Sequence, residues 1–291
     1  MDRINVNWER VSNVNPKIVM LRMPGFGLDG PYEDYRTFGS HMAGVVGHYS
    51  VMGYQGELAD MTGNTLTADA AGGAGAALAL AAGIRYRNHN DKGIFIEIAT
   101  AENFANYLGD HILNYTVNNR LASPMGNRDI SNAPQGVYQC TGEDRWIAIS
   151  INSDKQWKSL CNLIGSPELA KDSEYSNAAQ RRSLHDTIDQ LIEAWSKGMD
   201  AHKAMRALQA EGIPAGVVMN EQDAFSDPHL EENGFWETLE GDETVKYQDA
   251  STLWKTVLTD RSHKRAATRL GEDNAYVYKE LLGFDESTYA E

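Results

Sequence analysis

The chain has 291 residues and a mass of 32.2 kDa, enough for one large domain or two modest ones. A folded monomer of this size hides roughly three quarters of its extended surface, so a full core is expected without staples. Acidic residues number 41 against 26 basic, a formal net charge of −15, which speaks against nucleic-acid or anionic-membrane partners because both need a cationic face. With only Cys140 and Cys161, the chain is neither a disulfide scaffold nor a four-thiolate zinc protein. The opening Met1-Asp2-Arg3-Ile4-Asn5 is polar, with no apolar segment of a leader, and the cytoplasm is the expected compartment.

In chain order, Asn15-Pro16 is a turn before the apolar run Lys17 to Leu21, which reads as a buried strand. Met23-Pro24-Gly25-Phe26-Gly27 and Asp29-Gly30-Pro31 are loop, and residues 38–56 are too irregular to assign. From Asp69 to Arg87 the chain is rich in alanine, leucine and glycine, the composition of a helix packed close to its neighbours. Asp69 and the glycines interrupt this stretch as a membrane span. A turn at Asn90 to Gly93 precedes a strand at Ile94 to Ile98, and a helix is expected from about Ala101 to Val117. Composition changes near Met125, where a domain boundary is placed. Val137 to Cys140 and Arg145 to Ile151 read as a hairpin. Ser153 with Gln156 forms a capping-box signature for a helix through Ile164. Further helices are expected over Leu184 to Trp195 and Ala201 to Ala210, and a strand over Pro214 to Met219. Residues 221–249 are acidic and turn-rich, and a short helix runs from Ala275 to Leu282. The order is α/β, with a predominantly helical insert.

No nucleophile elbow, Walker loop or HExxH occurs. Gly25-Phe26-Gly27 followed by Gly30 has the wrong spacing for a dinucleotide loop, and Pro31 stands where its helix should be under way. Asp69 is the notable side chain, a lone carboxylate among small apolar neighbours in Thr67-Ala68-Asp69-Ala70-Ala71-Gly72-Gly73. It reads either as a cap or first-turn carboxylate, or as a nucleophile in a narrow pocket; one residue can be both. His41 and His48 are the histidines just upstream and stand as secondary candidates, although structural roles are the commoner fate of such residues. The other six histidines have no metal-ligand spacing, so no metal is expected. Cys140 and Cys161 read as core.

With these residues in hand, the chain resembles the family III CoA-transferases, the CaiB/BaiF superfamily. The likeness is carried by Asn15-Pro16 through Gly25-Phe26-Gly27 and Gly30-Pro31-Tyr32, and by Asp69-Ala70-Ala71-Gly72 with Arg85, Arg87 and Lys92-Gly93. Asn127-Arg128, Ala133 to Tyr138, Trp146, Gln156-Trp157 and Leu160 continue it. Gly212 to Gly216, Asp227 to Leu230 and the tail from Leu270 to Gly283 complete it. The resemblance implies a Rossmann-like large domain, here incomplete, with an inserted small α+β domain. It divides the chain into residues 1–125, 126–235 (the insert) and 236–291 (the return segment). It further implies that Asp69 attacks an acyl-CoA thioester to give a mixed anhydride, from which CoA is later passed to an acceptor acid. Coenzyme A and acyl-CoA are then substrates rather than resident cofactors. Gly25, Gly27, Arg85, Arg87 and Lys92 are the implied CoA contacts, and Gln135, Gly136 and Tyr138 the implied substrate loop. The partner implied is a second copy, with two chains interlocked, or a protein supplying the missing segment.

Two departures from the family pattern stand out. Members normally carry about a hundred further residues before the Asn-Pro strand, so the chain is expected to be a fragment, a mis-started chain or one part of a split enzyme. The tetraglycine loop of the formate/oxalate branch is absent around Ser131 to Gly136, which disfavours that substrate pair. An α-methylacyl-CoA racemase is the rival reading, with His41 standing 28 residues before Asp69, but the Gly-His-Asp context of racemases is missing. An inactive, partner-stabilising subunit is the other. Tyr32, Tyr49 and Tyr54 are either acyl-pocket or packing residues.

Overall fold

The computed structural model describes residues 4–57, 66–240, 246–251, 254, 256–258 and 265–290. The fold is mixed α/β with small sheets. The chain divides into two compact units. One comprises Met1–Val137, Ile149–Ile192 and Leu208–Pro214, the other Tyr138–Ala148, Glu193–Ala207 and Ala215–Glu291.

The first unit opens with α1 (Trp8–Val14), capped by the Asn7 side chain, which accepts from Arg10 N–H. Strand β1 (Val19–Arg22) follows, then α2 (Gly39–Val45) in the region the sequence left unassigned. Next come α3 (Thr67–Asn90), β2 (Ile94–Glu97), α4 (Thr100–Ala105) and α5 (Gly109–Asn118). Strands β1 and β2 are parallel, with Val19 opposite Ile94 and Arg22 opposite Glu97. Parallel neighbours require a long crossover, and α2 and α3 lie within it. The single helix expected from Ala101 to Val117 is broken. Asn106 turns its side-chain N–H back to Glu102 O (3.1 Å), a local bond that competes with helix continuation, and a 3-10 turn at Asn106–Leu108 separates α4 from α5.

The inward face of α3 is made of Ala68, Ala71, Gly72, Ala76 and Gly83. A Cβ on Gly83 would lie 2.8 Å from Ile96 Cδ1 and 2.9 Å from Val19 Cγ1, so α3 sits directly on the strand pair. A Cβ on Gly72 would lie 2.7 Å from Thr100 Cγ2. Gly75 leaves a notch for Asn103, whose Nδ2–H donates to Ala71 O at 3.0 Å. Long apolar side chains of α3, Leu78 and Ile84 among them, are exposed. The full core expected from chain length is therefore not what α3 builds. Among the described residues α3 is the one helix long and apolar enough by composition to cross a membrane; its small-residue face packs on strands and helix.

Strands β3 (Gln135–Gln139), β4 (Trp146–Ser150) and β5 (Ala215–Val218) form a sheet in that order. Helices α6 (Asp154–Leu163), α7 (Ala178–Ser183), α8 (His185–Ser196) and α9 (Ala201–Ala210) occupy the intervening segments. Ser153 caps α6 by accepting from Gln156 N–H, as its spacing predicts, while the Gln156 side chain accepts from Asn152 N–H and donates to Gly212 O. Trp157, Leu160 and Cys161 of α6 and Ile188 and Ile192 of α8 are buried. Arg181 is buried with them at 1% exposure. Its guanidinium donates to Ala133 O (2.8 Å), Tyr175 O (2.9 Å) and Asp154 Oδ1 (3.0 Å) and lies over the Trp157 ring.

In the second unit Ser196 Oγ donates to Gln139 O and Thr141 Oγ1 to Lys197 O, and Arg145 pairs with Asp223. The acidic stretch read as turn-rich holds α10 (Glu221–Phe225), α11 (Pro228–Glu232) and the antiparallel pair β6 (Trp236–Glu240) and β7 (Lys246–Ala250). The tail helix expected from Ala275 is a π-helix over Tyr276–Leu281, and α12 (Glu286–Ala290) follows it.

Truncating Arg181 leaves two buried carbonyls without their donor. Arg181→Ala should cost about 3 kcal/mol of stability, read as a lower urea midpoint at unchanged slope; a shift under about 0.5 kcal/mol would show that the carbonyls find other partners.

Candidate functional site

Asp69 is the third residue of α3, and the helix starts without a side-chain cap because the residue before it is Leu66. The carboxylate is exposed and makes no hydrogen bond or ion pair among the described residues. It lies against the backbone of α2. A Cβ on Gly39 would come within 2.1 Å of Asp69 Oδ2 and 2.7 Å of Cγ. Beneath this contact Met42 and Ala43 of α2, Ala68 and Ala71 of α3, and Ala101 and Phe104 of α4 form one buried cluster, with Phe26, Val46 and Tyr49 packed on it.

The Gly25–Leu28 loop joins the same cluster. Ala101 N–H donates to Gly25 O (2.9 Å) and Thr100 N–H to Pro24 O (3.0 Å), while Leu28 N–H donates to Glu97 Oε1 at 2.6 Å. A Cβ on Gly25 would fall 2.1 Å from Thr37 Cγ2, and Gly27 takes φ +102°, a conformation that glycine adopts without strain. Gly25 and Gly27 are thus built into the wall that carries Asp69. Arg85, Arg87 and Lys92 are not. With a rise of ~1.5 Å per residue, Arg85 lies roughly 24 Å along α3 from Asp69, and Arg87 bonds Asn88.

His41 uses Nδ1 to accept from Phe38 N–H (3.1 Å) at the start of α2, a local structural task. The ring of His48 meets Phe104 edge-on at 5.1 Å, and its Nδ1 is buried with no hydrogen-bond partner among the described residues. Burial lowers the His48 pKa. Tyr32 stacks on Tyr35 at 4.7 Å and Tyr49 packs on the cluster. Tyr54 lies over Gly126 and accepts from Asn127 Nδ2 through its hydroxyl (2.8 Å).

The residues expected in a substrate loop stand in a strand. Gln135 opens β3 and its side chain is fully engaged, accepting from Ser150 Oγ (2.8 Å) and donating to Asn127 O (3.3 Å). Its N–H donates to Nε2 of the buried His185 (3.2 Å), whose Nδ1 lies 3.0 Å from Asp189. Asp189 is held in turn by Arg128. Gly136 is within β3, and Tyr138 is buried at 5% exposure. Cys140 and Cys161 are buried free thiols; burial raises the pKa of Cys140 and pushes that of Cys161 up to about 12, which removes both as nucleophiles. Sequence reasoning missed Gly39 and Glu97, the residues that seat the carboxylate and the glycine loop; neither stands in a motif that would mark it.

The site thus presents a carboxylate unengaged among the described residues at the start of α3, beside small residues and a glycine loop. Residues 1–274 match the model of CoA-transferase family III, and the chain belongs to that family. It is 24% identical over 290 residues to succinyl-CoA–D-citramalate CoA-transferase of Chloroflexus aurantiacus, covering 100% of this chain and 72% of that one. It is 25% identical to the beta subunit of succinyl-CoA–L-malate CoA-transferase of the same organism, covering 97% of this chain and 70% of that one. Its fold matches the crystal structure of a CaiB/BaiF family protein from Brucella suis with a TM-score of 0.83, at 22% identity, over 96% of this chain and 72% of that one.

The lowered pKa of His48 gives a stability signature. Its folded pKa lies below the ordinary 6.5, so below that pH the unfolded chain binds the extra proton and stability falls as pH falls. His48→Gln should flatten the loss of unfolding midpoint between pH 6.5 and 5; an unchanged profile would assign that loss to other groups.

Proposed function

We propose that this chain passes coenzyme A from an acyl-CoA to a carboxylic acid, with Asp69 as the nucleophile. The observation that carries the reading is the Asp69 carboxylate itself, exposed and without hydrogen bond or ion pair among the described residues, in a chain of this family. A carboxylate oxygen attacks the thioester carbonyl carbon; a C–O bond forms, the C–S bond breaks, and CoA leaves as thiolate, giving an aspartyl–acyl anhydride. The thiolate attacks the aspartyl carbonyl and releases the donor acid as carboxylate. The acceptor carboxylate displaces the thiolate to form a second anhydride. Thiolate attack on the acceptor's acyl carbon then restores Asp69. Each step trades one acyl–oxygen or acyl–sulfur bond for another, so no oxidant, reductant or net proton is needed. The N–H groups of Thr67, Ala68 and Asp69 open α3 without a side-chain cap and suit the oxyanion formed at each attack.

Gly25 and Gly27 fall on the side where CoA enters in this reading. Arg85 and Arg87, far along α3, and Lys92, in the turn beyond it, are too distant from Asp69 to touch the thioester, so any role for them is at the phosphate-bearing end of CoA. A second copy of the chain completes the working unit. Large apolar side chains left bare on α3 and α5, Leu78 (74% exposed) and Val117 (75%) among them, support a partner. The cytoplasm is the proposed compartment, in keeping with the two free thiols.

Incubation with succinyl-CoA, acetyl-CoA or formyl-CoA under hydroxylamine trapping should give a hydroxamate that maps to Asp69 and is absent in Asp69→Ala. A folded Asp69→Ala protein that still transfers CoA would remove the aspartyl mechanism. Sedimentation should return twice 32.2 kDa; a monomer at micromolar concentration would remove the second copy.

A further inference from the structure

We infer that Gly39 is a positioning residue for the reaction: the missing side chain at this position seats the Asp69 carboxylate, an inference that rests on the nucleophile reading above.

The reason for glycine here is space rather than backbone conformation. Gly39 is not among the glycines held at positive φ, so an L-residue can adopt its backbone. Helix α2 would be more stable starting on alanine. What excludes a side chain is the carboxylate, with Oδ2 at 2.1 Å, Cγ at 2.7 Å and Oδ1 at 3.1 Å from where a Cβ would stand. Contacts under about 3 Å between such atoms are repulsive, so one partner must move.

Neither backbone can easily give way. Met42 and Ala43, a turn beyond Gly39, are buried in the same cluster as Ala68 and Ala71, which flank Asp69. Cores of this density transmit strain instead of absorbing it. The movable part is the aspartate side chain, and its escape is rotation away from α2. Gly39 thus offers the carboxylate a flat surface of backbone with no hydrogen-bonding side chain. The carboxylate lies against this surface with its lone pairs uncommitted among the described residues, and it keeps that place only while Gly39 lacks a side chain. That combination suits a group that must attack a carbonyl carbon, leave it and attack again. Gly44, in the same helix, is the internal contrast. A Cβ there would meet Tyr49 at an ordinary 3.6 Å.

The test is a stability cycle combined with single-turnover acylation. Gly39→Ala should lower the thermal midpoint by about one or two degrees in the native background, because the exposed carboxylate can turn aside. In Asp69→Ala the same change should be neutral or stabilising, because the atoms it strikes are gone. With succinyl-CoA as probe, Gly39→Ala should slow formation of the trapped acyl-enzyme at least tenfold at saturation, with KM for succinyl-CoA within about twofold. Gly44→Ala should match the native protein in both measurements. Equal loss of midpoint in both Asp69 backgrounds, or a native acylation rate in Gly39→Ala, overturns the inference. The cycle needs no turnover. A chain inert toward succinyl-CoA would count against the transfer reading, and the cycle alone would then decide whether Gly39 seats the carboxylate.

Discussion

Helix α3 meets the strand pair through Gly83 and helix α4 through Gly72 and Gly75, and the placement of the groups around Asp69 follows from that approach. Glycine in a helix interior costs about 1 kcal/mol relative to alanine, so α3 has no intrinsic claim to its length. Contact with β1, β2 and α4 supplies what propensity does not, because backbone-to-side-chain packing at this range recovers dispersion along the whole face. The cluster of Met42, Ala43, Ala68, Ala71, Ala101 and Phe104 then locks the starts of α2, α3 and α4 together. A carboxylate placed there inherits a rigid frame without needing hydrogen bonds of its own.

Elsewhere in the first unit polar groups do the fixing. Arg181 ties Ala133, Tyr175 and Asp154 together from a buried position, and His185 with Asp189 and Arg128 holds the start of β3. Because Nε2 of His185 accepts from Gln135 N–H, the ring's proton belongs on Nδ1, facing Asp189. These groups are tied into the fold by internal hydrogen bonds and ion pairs, in contrast to Asp69. Those polar groups are engaged in holding structure in place, whereas the Asp69 carboxylate is not.

Much of this was legible in the sequence. The strand at β1, the long small-residue helix, the capped helix α6 and helices α8 and α9 stood out because hydrophobic spacing, glycine content and the Ser153–Gln156 signature are local properties, whereas α7 did not. Asp69 stood out for the same reason, as a charge in an apolar neighbourhood. The interruption between α4 and α5 coincides with side-chain bonds from Asn106 to Glu102 O and Asn103 O, which spacing does not encode. Strands β6 and β7 were hidden by their charged residues, since Glu237, Glu240, Lys246 and Asp249 mask the alternation. The role of Gly39 is a distance between residues thirty positions apart in sequence, and nothing local to Phe38-Gly39-Ser40 announces it. Gln135 and Gly136 were read as loop because a turn-like stretch rich in proline and glycine runs straight into β3.

The small inward face of α3 also determines where variety in this chain can arise. A surface made of alanine and glycine can change only by growing, and growth at Gly72, Gly75 or Gly83 runs into side chains already in contact. Drift along that face is one-sided and closed. The loop that carries Tyr32 and Tyr35, stacked on each other and exposed, has side chains that can shrink, enlarge or change polarity more freely. Variation has its raw material in those exposed side chains, while the packed face of α3 stays nearly fixed.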